Sequence, residues 1–331
     1  MRFNLEHDWQ GNMSTPPARI GDRAKVRLLI LLCAAWLLMG LIGHEPWKPF
    51  ESDAISTIKN VLDNGHYLAP TSASSNQASN PPLYYLSAAL TAKVFNGVLP
   101  MHDGARIATG LWMLITLLMI GMTGREFWGR GVGRQTSFIF ISAIGLIISA
   151  HLISPAISAL AGTATCFYAL ALAKRRPYRA GGLLGAGMGV SFLSTGLLPL
   201  SIILLTAVAL PSFFKRWRTL RLAKVAAMAT LIASPTILGW SLLYLSLDPS
   251  LFYRWLEKSM EGITNPGHFY FLNLLLWYAW PSLPLAAWGL WRYRAQLFNQ
   301  PRFQLCITFF IAAFISIGFL GEHKDIHALP L

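Results

Sequence analysis

Every second gap between the long apolar stretches of this chain is crowded with arginine and lysine, and the gaps between those are not. Apolar segments can be drawn at residues 26–42, 105–122, 137–152, 156–173, 181–193, 196–210, 225–247, 269–291 and 305–320. Arg19, Arg23, Lys25 and Arg27 precede the first, and Arg125, Arg130 and Arg134 follow the second. Lys174, Arg175, Arg176 and Arg179 follow the fourth, Lys215, Arg216, Arg218, Arg221 and Lys224 the sixth, and Arg292, Arg294 and Arg302 the eighth. Such alternation is the pattern left by membrane insertion, which keeps basic loops on the cytoplasmic side. The segments number nine, although several fall short of the roughly 20 residues a helix needs to cross the hydrocarbon core. Residues 83–99, interrupted by Lys93, are read as a helix on the membrane surface, because nine crossings already satisfy the charge pattern.

Composition agrees with this reading. Of 331 residues, 54% are hydrophobic and 12% charged, where a soluble domain carries about 25% charged residues. The net charge of +13 could suggest a nucleic-acid partner, but its confinement to alternate loops gives it a topological cause, and the sequence is read as having none. The basic and aromatic run at residues 213–224 is read first as a stripe on the membrane surface, where anionic headgroups suffice to hold it. Cys33, Cys166 and Cys306 fall inside apolar segments, with neither a disulfide framework nor a metal-ligand spacing. The glycines Gly185, Gly187 and Gly189 lack the preceding strand of a nucleotide-binding loop, so close helix packing is their expected role. Residues 1–25 are read as a disordered cytoplasmic tail and residues 26–331 as the membrane domain.

Charge placement puts residues 43–104 outside, as a first loop, and residues 248–268 outside as a second. Within the first, residues 43–85 are the longest polar interval in the chain, and the chemistry is expected there. His44, Glu45 and Lys48 surround Trp47 in an interfacial cluster. Over residues 51–64, Ala54, Ile55, Ile58, Val61 and Leu62 recur at three- and four-residue steps, which predicts an amphipathic helix with Asp53, Lys59 and Asp63 off its apolar face. Asn64-Gly65 ends that helix, and Pro81-Pro82 opens the next. Arg106, after His102 and Asp103, stands at the outer mouth of the second segment. It serves there either as an anchor reaching the headgroups or as a phosphate partner. His151, Ser154 and Pro155 form an outer turn without an acid, for which capping or packing is expected. Trp277, Tyr278 and Trp280 are either an aromatic belt or the lining of a cavity.

The pieces at residues 43–52 (GHEPWKPFES), 62–70 (LDNGHYLAP), 80–90 (NPPLYYLSAAL), 104–111 (GARIATGL), 192–200 (FLSTGLLPL), 277–288 (WYAWPSLPLAAW) and 323–331 (HKDIHALPL) occur in a distinctive order. In that order the chain resembles the membrane glycosyltransferases of the GT-C class, and more closely the protein-mannosyltransferase and aminoarabinose-transferase-like superfamily. The resemblance implies an all-α polytopic bundle of about nine transmembrane helices, with a periplasmic or extracellular first loop carrying interfacial helices. It also implies a place in the bacterial inner membrane and an N-terminus in the cytoplasm. The activity implied is transfer of a sugar from a polyprenyl-phosphate carrier to a lipid, glycan or protein acceptor at the outer face. Glu51 is then the expected base, with Glu45 and Asp53 as stand-ins. Lys48, Arg106 and Lys324 would face the carrier phosphate, His44 would lie near the acceptor, and Tyr84 and Tyr85 would belong to the substrate-binding side. No metal or further cofactor is named by the sequence.

The departures from the family pattern are as informative. Phe50-Glu51 stands where the family has Asp-Glu, and Ser79-Asn80 where it has Glu-Lys before the two prolines. The family's acid in the turn after the third segment is missing from residues 154–158, and Thr195 replaces a lysine. The chain also stops at Leu331, well before the family's usual length. Reduced or absent activity is the expectation, and a homologue that binds polyprenyl lipids or partner proteins without turnover is the alternative class.

Overall fold

The computed structural model describes residues 21–48, 50–65, 67–72, 75–78, 80–129, 131–264, 268–321 and Leu329. Helix α1 (Asp22–Leu38) supplies the described part of a first unit, which ends at Trp36. Its Leu28, Ile30, Leu31 and Leu32 are exposed, as suits a helix whose solvent is lipid.

The second unit, from Leu37 onward, is almost wholly helical. In chain order it contains α2 (Phe50–Asn64), a two-stranded antiparallel ribbon of β1 (Thr71–Ser72) and β2 (Ser75–Ala78), α3 (Leu83–Val94), α4 (Met101–Trp128), α5 (Val132–Ile141), α6 (Ile144–Ser149), α7 (Pro155–Leu172), α8 (Pro177–Thr195), α9 (Leu197–Phe213), α10 (Leu220–Leu247), α11 (Pro249–Thr264), α12 (His268–Tyr278), α13 (Ser282–Arg292) and α14 (Pro301–Leu320). Among the described residues four helices are long and apolar enough to cross a bilayer, namely α4, α7, α10 and α14. Helix α9 and the stretch Phe269–Tyr278 are shorter and equally apolar. Large side chains such as Leu231, Leu238, Leu242 and Ile311 are exposed on these helices. The molecule is an all-α polytopic membrane protein, save for the ribbon. With 12 residues, α3 reaches about 18 Å and is too short to cross.

Glycine and alanine bring α7, α8 and α10 together. A Cβ on Gly187 would meet the Cys166 sulfur of α7 at 2.6 Å, whereas one on Gly185 would meet the Ala229 carbonyl oxygen of α10 at 2.7 Å. Gly189, one turn on, faces Thr236 of α10 in the same way. Successive glycines of the G-x-G-x-G run thus serve different neighbours, and the role is close packing. In a bilayer, where no hydrophobic effect drives helices together, this proximity supplies the attraction through dispersion.

Two segments expected as single crossings are each broken. Residues 137–152 divide into α5 and α6 at Ser142-Ala143, and residues 269–291 divide into α12 and α13 at residues 279–281. The reason lies in proline. In a continuous helix the Trp280 carbonyl would accept from residue 284, but Pro284 has no N–H to give. The oxygen accepts instead from the Ile144 amide at 2.9 Å, the amide that opens α6. Each break therefore satisfies the other. Tyr278 completes the joint: its hydroxyl lies 2.6 Å from Ser149 Oγ, and its ring occupies the space a Cβ on Gly145 would need. Trp277 and Trp280 are exposed, in the manner of an aromatic belt, while Tyr278 is buried.

Gly185→Leu should destabilise the protein by about 1–3 kcal/mol or prevent folding, since the opposing Ala229 backbone cannot yield. Gly239→Leu, at a position on α10 with nothing within 4 Å, should leave thermal unfolding in detergent unchanged.

Candidate functional site

Helix α2 forms where the amphipathic pattern predicts it and buries Glu51, Ala54, Thr57, Ile58 and Val61. Ile55 is half-buried and Leu62 exposed, so the buried stripe is narrower than the apolar positions suggest. The stripe packs with Tyr84, Tyr85, Ala88 and Ala92 of α3, Ala105 and Ala108 of α4, and Ile153. Three further hydrogen bonds hold the loop in place, the second of them from outside it. Asn60 Nδ2 donates to the Thr71 carbonyl at 2.9 Å, Trp240 Nε1 to the Leu68 carbonyl at 3.0 Å, and the Gly43 amide to Asp103 Oδ2 at 3.1 Å.

At the centre is Glu51, fully buried on the first turn of α2. Its Oε2 accepts from the Trp47 amide at 2.8 Å and from Arg106 Nη2 at 2.9 Å. Its Oε1 accepts from the Ile153 amide at 2.8 Å and from Arg106 Nε at 3.3 Å. A carboxylate has about four lone-pair positions, and all four are engaged. The Glu51 amide also donates to the Trp47 carbonyl at 2.9 Å, so the pair reciprocates as a capping box does. Burial alone would push the Glu51 carboxyl up; hydrogen bonds from Arg106, Trp47 and Ile153, with the Arg106 charge, outweigh it and hold the group below the usual glutamate range.

Arg106, equally buried, donates from Nη1 to the His44 carbonyl at 2.7 Å and to Asp103 Oδ1 at 3.0 Å. Asp103 sits one turn earlier on α4, and His102 Nε2 lies 3.6 Å from its Oδ1. Four of the five guanidinium N–H groups are thus engaged, and two carboxylates face one cation. The guanidinium here ties three stretches of chain together, the 43–47 loop, α2 and α4, and through Glu51 a fourth at Ile153. His44 is half-buried, and desolvation, followed by the Arg106 charge, lowers its pKa and favours the neutral ring against the opposing pull of Glu51 and Asp103.

The other expected residues are distributed around this clamp. Glu45, Lys48 and Asp53 are exposed. Tyr84 is buried with its hydroxyl 2.8 Å from Thr109 Oγ1, and burial raises its pKa. Tyr85 is buried too; desolvation, opposed by a hydrogen bond with Asn80 and reinforced by the Asp53 charge, takes it to about 12. Lys324 lies outside the described residues, as does most of residues 1–25. Ser154 caps α7 by accepting from the Ala156 amide, and the His151 ring covers Gly40. Sequence reasoning gave no role to Asp103, which the i, i+3 spacing to Arg106 could have suggested. It also could not see the amides of Gly43, Trp47 and Ile153, which carry no residue-type signal. No group of three or more metal-ligating side chains occurs among the described residues.

The α-helical membrane scaffold with interfacial helices that carries this buried clamp has the GT-C fold, in divergent form, as its likeness to solved structures shows. The solved structures it resembles are of one kind in particular. It matches ArnT from Cupriavidus metallidurans bound to undecaprenyl phosphate with a TM-score of 0.79 and 17% identity, over 94% of this chain and 58% of that one. The apo state of the same protein gives 0.75 and 16%, over 93% and 57%. The archaeal oligosaccharyltransferase AglB from Archaeoglobus fulgidus gives 0.51 and 11%, over 92% and 50%. In sequence the chain is 24% identical over 323 residues to the undecaprenyl phosphate-alpha-4-amino-4-deoxy-L-arabinose arabinosyl transferase 2 of Proteus mirabilis (strain HI4320), covering 92% of this chain and 56% of that protein. The chain therefore spans a little over half the length of the relatives it matches. No family model matches it.

The lowered Glu51 pKa fixes the sign of a pH effect. A carboxyl more acidic folded than unfolded stabilises the fold above its unfolded value, and that contribution is lost as pH falls through the folded value. Glu51→Gln should cost about 3 kcal/mol at neutral pH, as for a buried pair with one partner removed. The gap between wild type and variant should narrow once pH drops below about 4, as read by thermal unfolding across a pH series.

Proposed function

We propose that this chain binds a polyprenyl-phosphate-linked sugar at the membrane surface and transfers the sugar to an acceptor. The first loop, residues 43–104, is taken to face the periplasm or exterior of a bacterial inner membrane, and the basic loops the cytoplasm, by the positive-inside rule. The observation that carries the reading is the alignment of 94% of the chain, at a TM-score of 0.79, with a transferase structure bound to undecaprenyl phosphate. A donor with a long lipid tail has to arrive sideways from the bilayer. A loop seated at the helix ends is where its phosphate and sugar would come to rest.

Within that reading the residues divide by exposure to solvent. Glu51 and Arg106 are positioning residues, because their hydrogen-bonding capacity is spent on each other and on the backbone. The proton acceptor is assigned to Asp53, exposed on the same turn, with Glu45 as the second candidate. The acceptor's oxygen attacks the anomeric carbon and the bond from that carbon to the phosphate oxygen breaks. The proton goes to the carboxylate, and the phosphate leaves on the lipid. Lys48, with Lys324 from the C-terminal stretch, is assigned to the departing phosphate, where a cation is worth most. His44, near neutral, is assigned to the acceptor side, and Tyr84 and Tyr85 shape the wall behind it.

A second reading is carried by the same clamp. With Phe50 in place of an acid and Glu51 held as the partner of Arg106, the chain could bind the carrier without turnover. Transfer from a radiolabelled polyprenyl-phosphate sugar in membranes separates the two. The transferase reading expects turnover by wild type and a loss of about 100- to 10,000-fold in Asp53→Asn, the usual worth of a general base, with carrier retention unchanged. Undiminished transfer by Asp53→Asn would remove the base assignment. Retention of the carrier with no wild-type transfer would establish the second reading, and failure to retain it would end both.

A further inference from the structure

Far from the first loop, at the opposite end of α4, two hollows of about 390 and 400 Å3 lie on either side of Lys174. The first is lined by Glu126, Lys174, Trp217, Gln300 and Arg302. The second is lined by Lys174, Arg216, Leu220 and Arg221. The basic and aromatic run that reads as a surface stripe thus turns inward at its tryptophan: Trp217 is only 3% exposed, and its Nε1 donates to Gln304 Oε1 at 3.0 Å. The Lys174 ammonium is laid over that ring, 5.1 Å from its centroid. Arg221 holds the Lys174 carbonyl at 3.0 Å, and Arg302 is braced by Gln300 at 2.6 Å.

The charges around these hollows do not balance. Glu126 lines the first hollow, and both its oxygens are taken by Arg175 at 2.7 and 2.5 Å. Among the described residues Lys174, Arg216, Arg221 and Arg302 pair with no carboxylate. Desolvation, then the Arg216 charge, lowers the Lys174 pKa, so the ammonium is held at a cost that a bound anion would relieve. Leu220, on the rim, is 82% exposed, and Phe213 nearby is 80% exposed, which leaves an apolar approach beside a cationic floor. We infer that these paired hollows form a binding site for the phosphodiester headgroup of an anionic phospholipid, seated between Lys174, Arg302, Arg216 and Arg221 with its acyl chain along Leu220. Basic pockets between helix ends on this side of a membrane protein suit such headgroups. The tryptophan and glutamine brace the cations in place, unlike lysines that merely reach for the surface.

The test is titration of the detergent-purified full chain with phosphatidylglycerol, phosphatidylcholine and inorganic phosphate, read by native mass spectrometry. Wild type should retain phosphatidylglycerol in preference to phosphatidylcholine and show no binding of inorganic phosphate. The double variant Lys174→Gln/Arg302→Gln should bind phosphatidylglycerol about tenfold more weakly. Arg179→Gln/Lys224→Gln, which removes the same charge from neighbouring positions that line neither hollow, should not. Equal loss in the two double variants, no loss in the first, or equal retention of the two lipids by wild type would overturn the site. So would inorganic phosphate binding as well as the lipid. The wild-type comparison stands alone should the first double variant fail to fold.

Discussion

The placement of the first loop rests on a carboxylate and a guanidinium taken out of water together. Removing each from solvent costs several kcal/mol, and their attraction offsets this only when the remaining hydrogen-bonding capacity is also met. Glu51 and Arg106 meet that condition through the backbone. The Trp47 and Ile153 amides complete the acid, and the His44 carbonyl and Asp103 complete the base. The pair is therefore less a source of net stability than a selector of one arrangement. Any register that displaced Ile153 or the 43–47 turn would strand a buried charge.

Helix α4 carries this logic across the protein. With 28 residues it runs about 42 Å, enough to hold Asp103 and Arg106 at one end and Glu126 at the other. The sign of the imbalance reverses between them. At the first end two carboxylates surround one guanidinium, and at the second, among the described residues lining or touching the hollows, five cations gather with a single acid, which one of them, Arg175, already binds. Between the ends the helices approach through glycine, alanine, serine and threonine, whose hydroxyls bond backbone carbonyls, as Thr163 does within α7 and Ser191 does from α8, both to the Ala159 oxygen, at 2.7 and 3.4 Å. The middle is thus apolar to lipid, and polar recognition is left to the two rims.

Much of this was legible in the sequence, for physical reasons. The face of α2 followed from the three- and four-residue steps of its apolar residues, and the packing role of Gly185, Gly187 and Gly189 from the lack of a strand before them. Glu51 was singled out by its place in the polar first loop and in the family resemblance, and Arg106 by its position at the outer mouth of the second apolar segment. Their partnership was not, because 55 residues separate them and half of their ligands are main-chain atoms. The broken helices were missed because hydropathy reads side chains, whereas the break at Trp280 depends on a backbone oxygen left over by Pro284. Asp103 drew no role because its bond to Arg106 depends on both lying on one helix face, three residues apart.

The geometry of α2 also decides how an acid on it could act. At about 100° per residue, position 53 lies about 200° around the helix from position 51, so turning Glu51 inward turns Asp53 outward. On the transferase reading proposed above, a substrate seeking an exposed carboxylate on α2 meets Asp53 on its polar face, while Arg106 bonds Glu51 between α2 and α4. The clamp and the proposed choice of base are in this sense one constraint: the interaction that holds the loop in register also occupies the Glu51 oxygens.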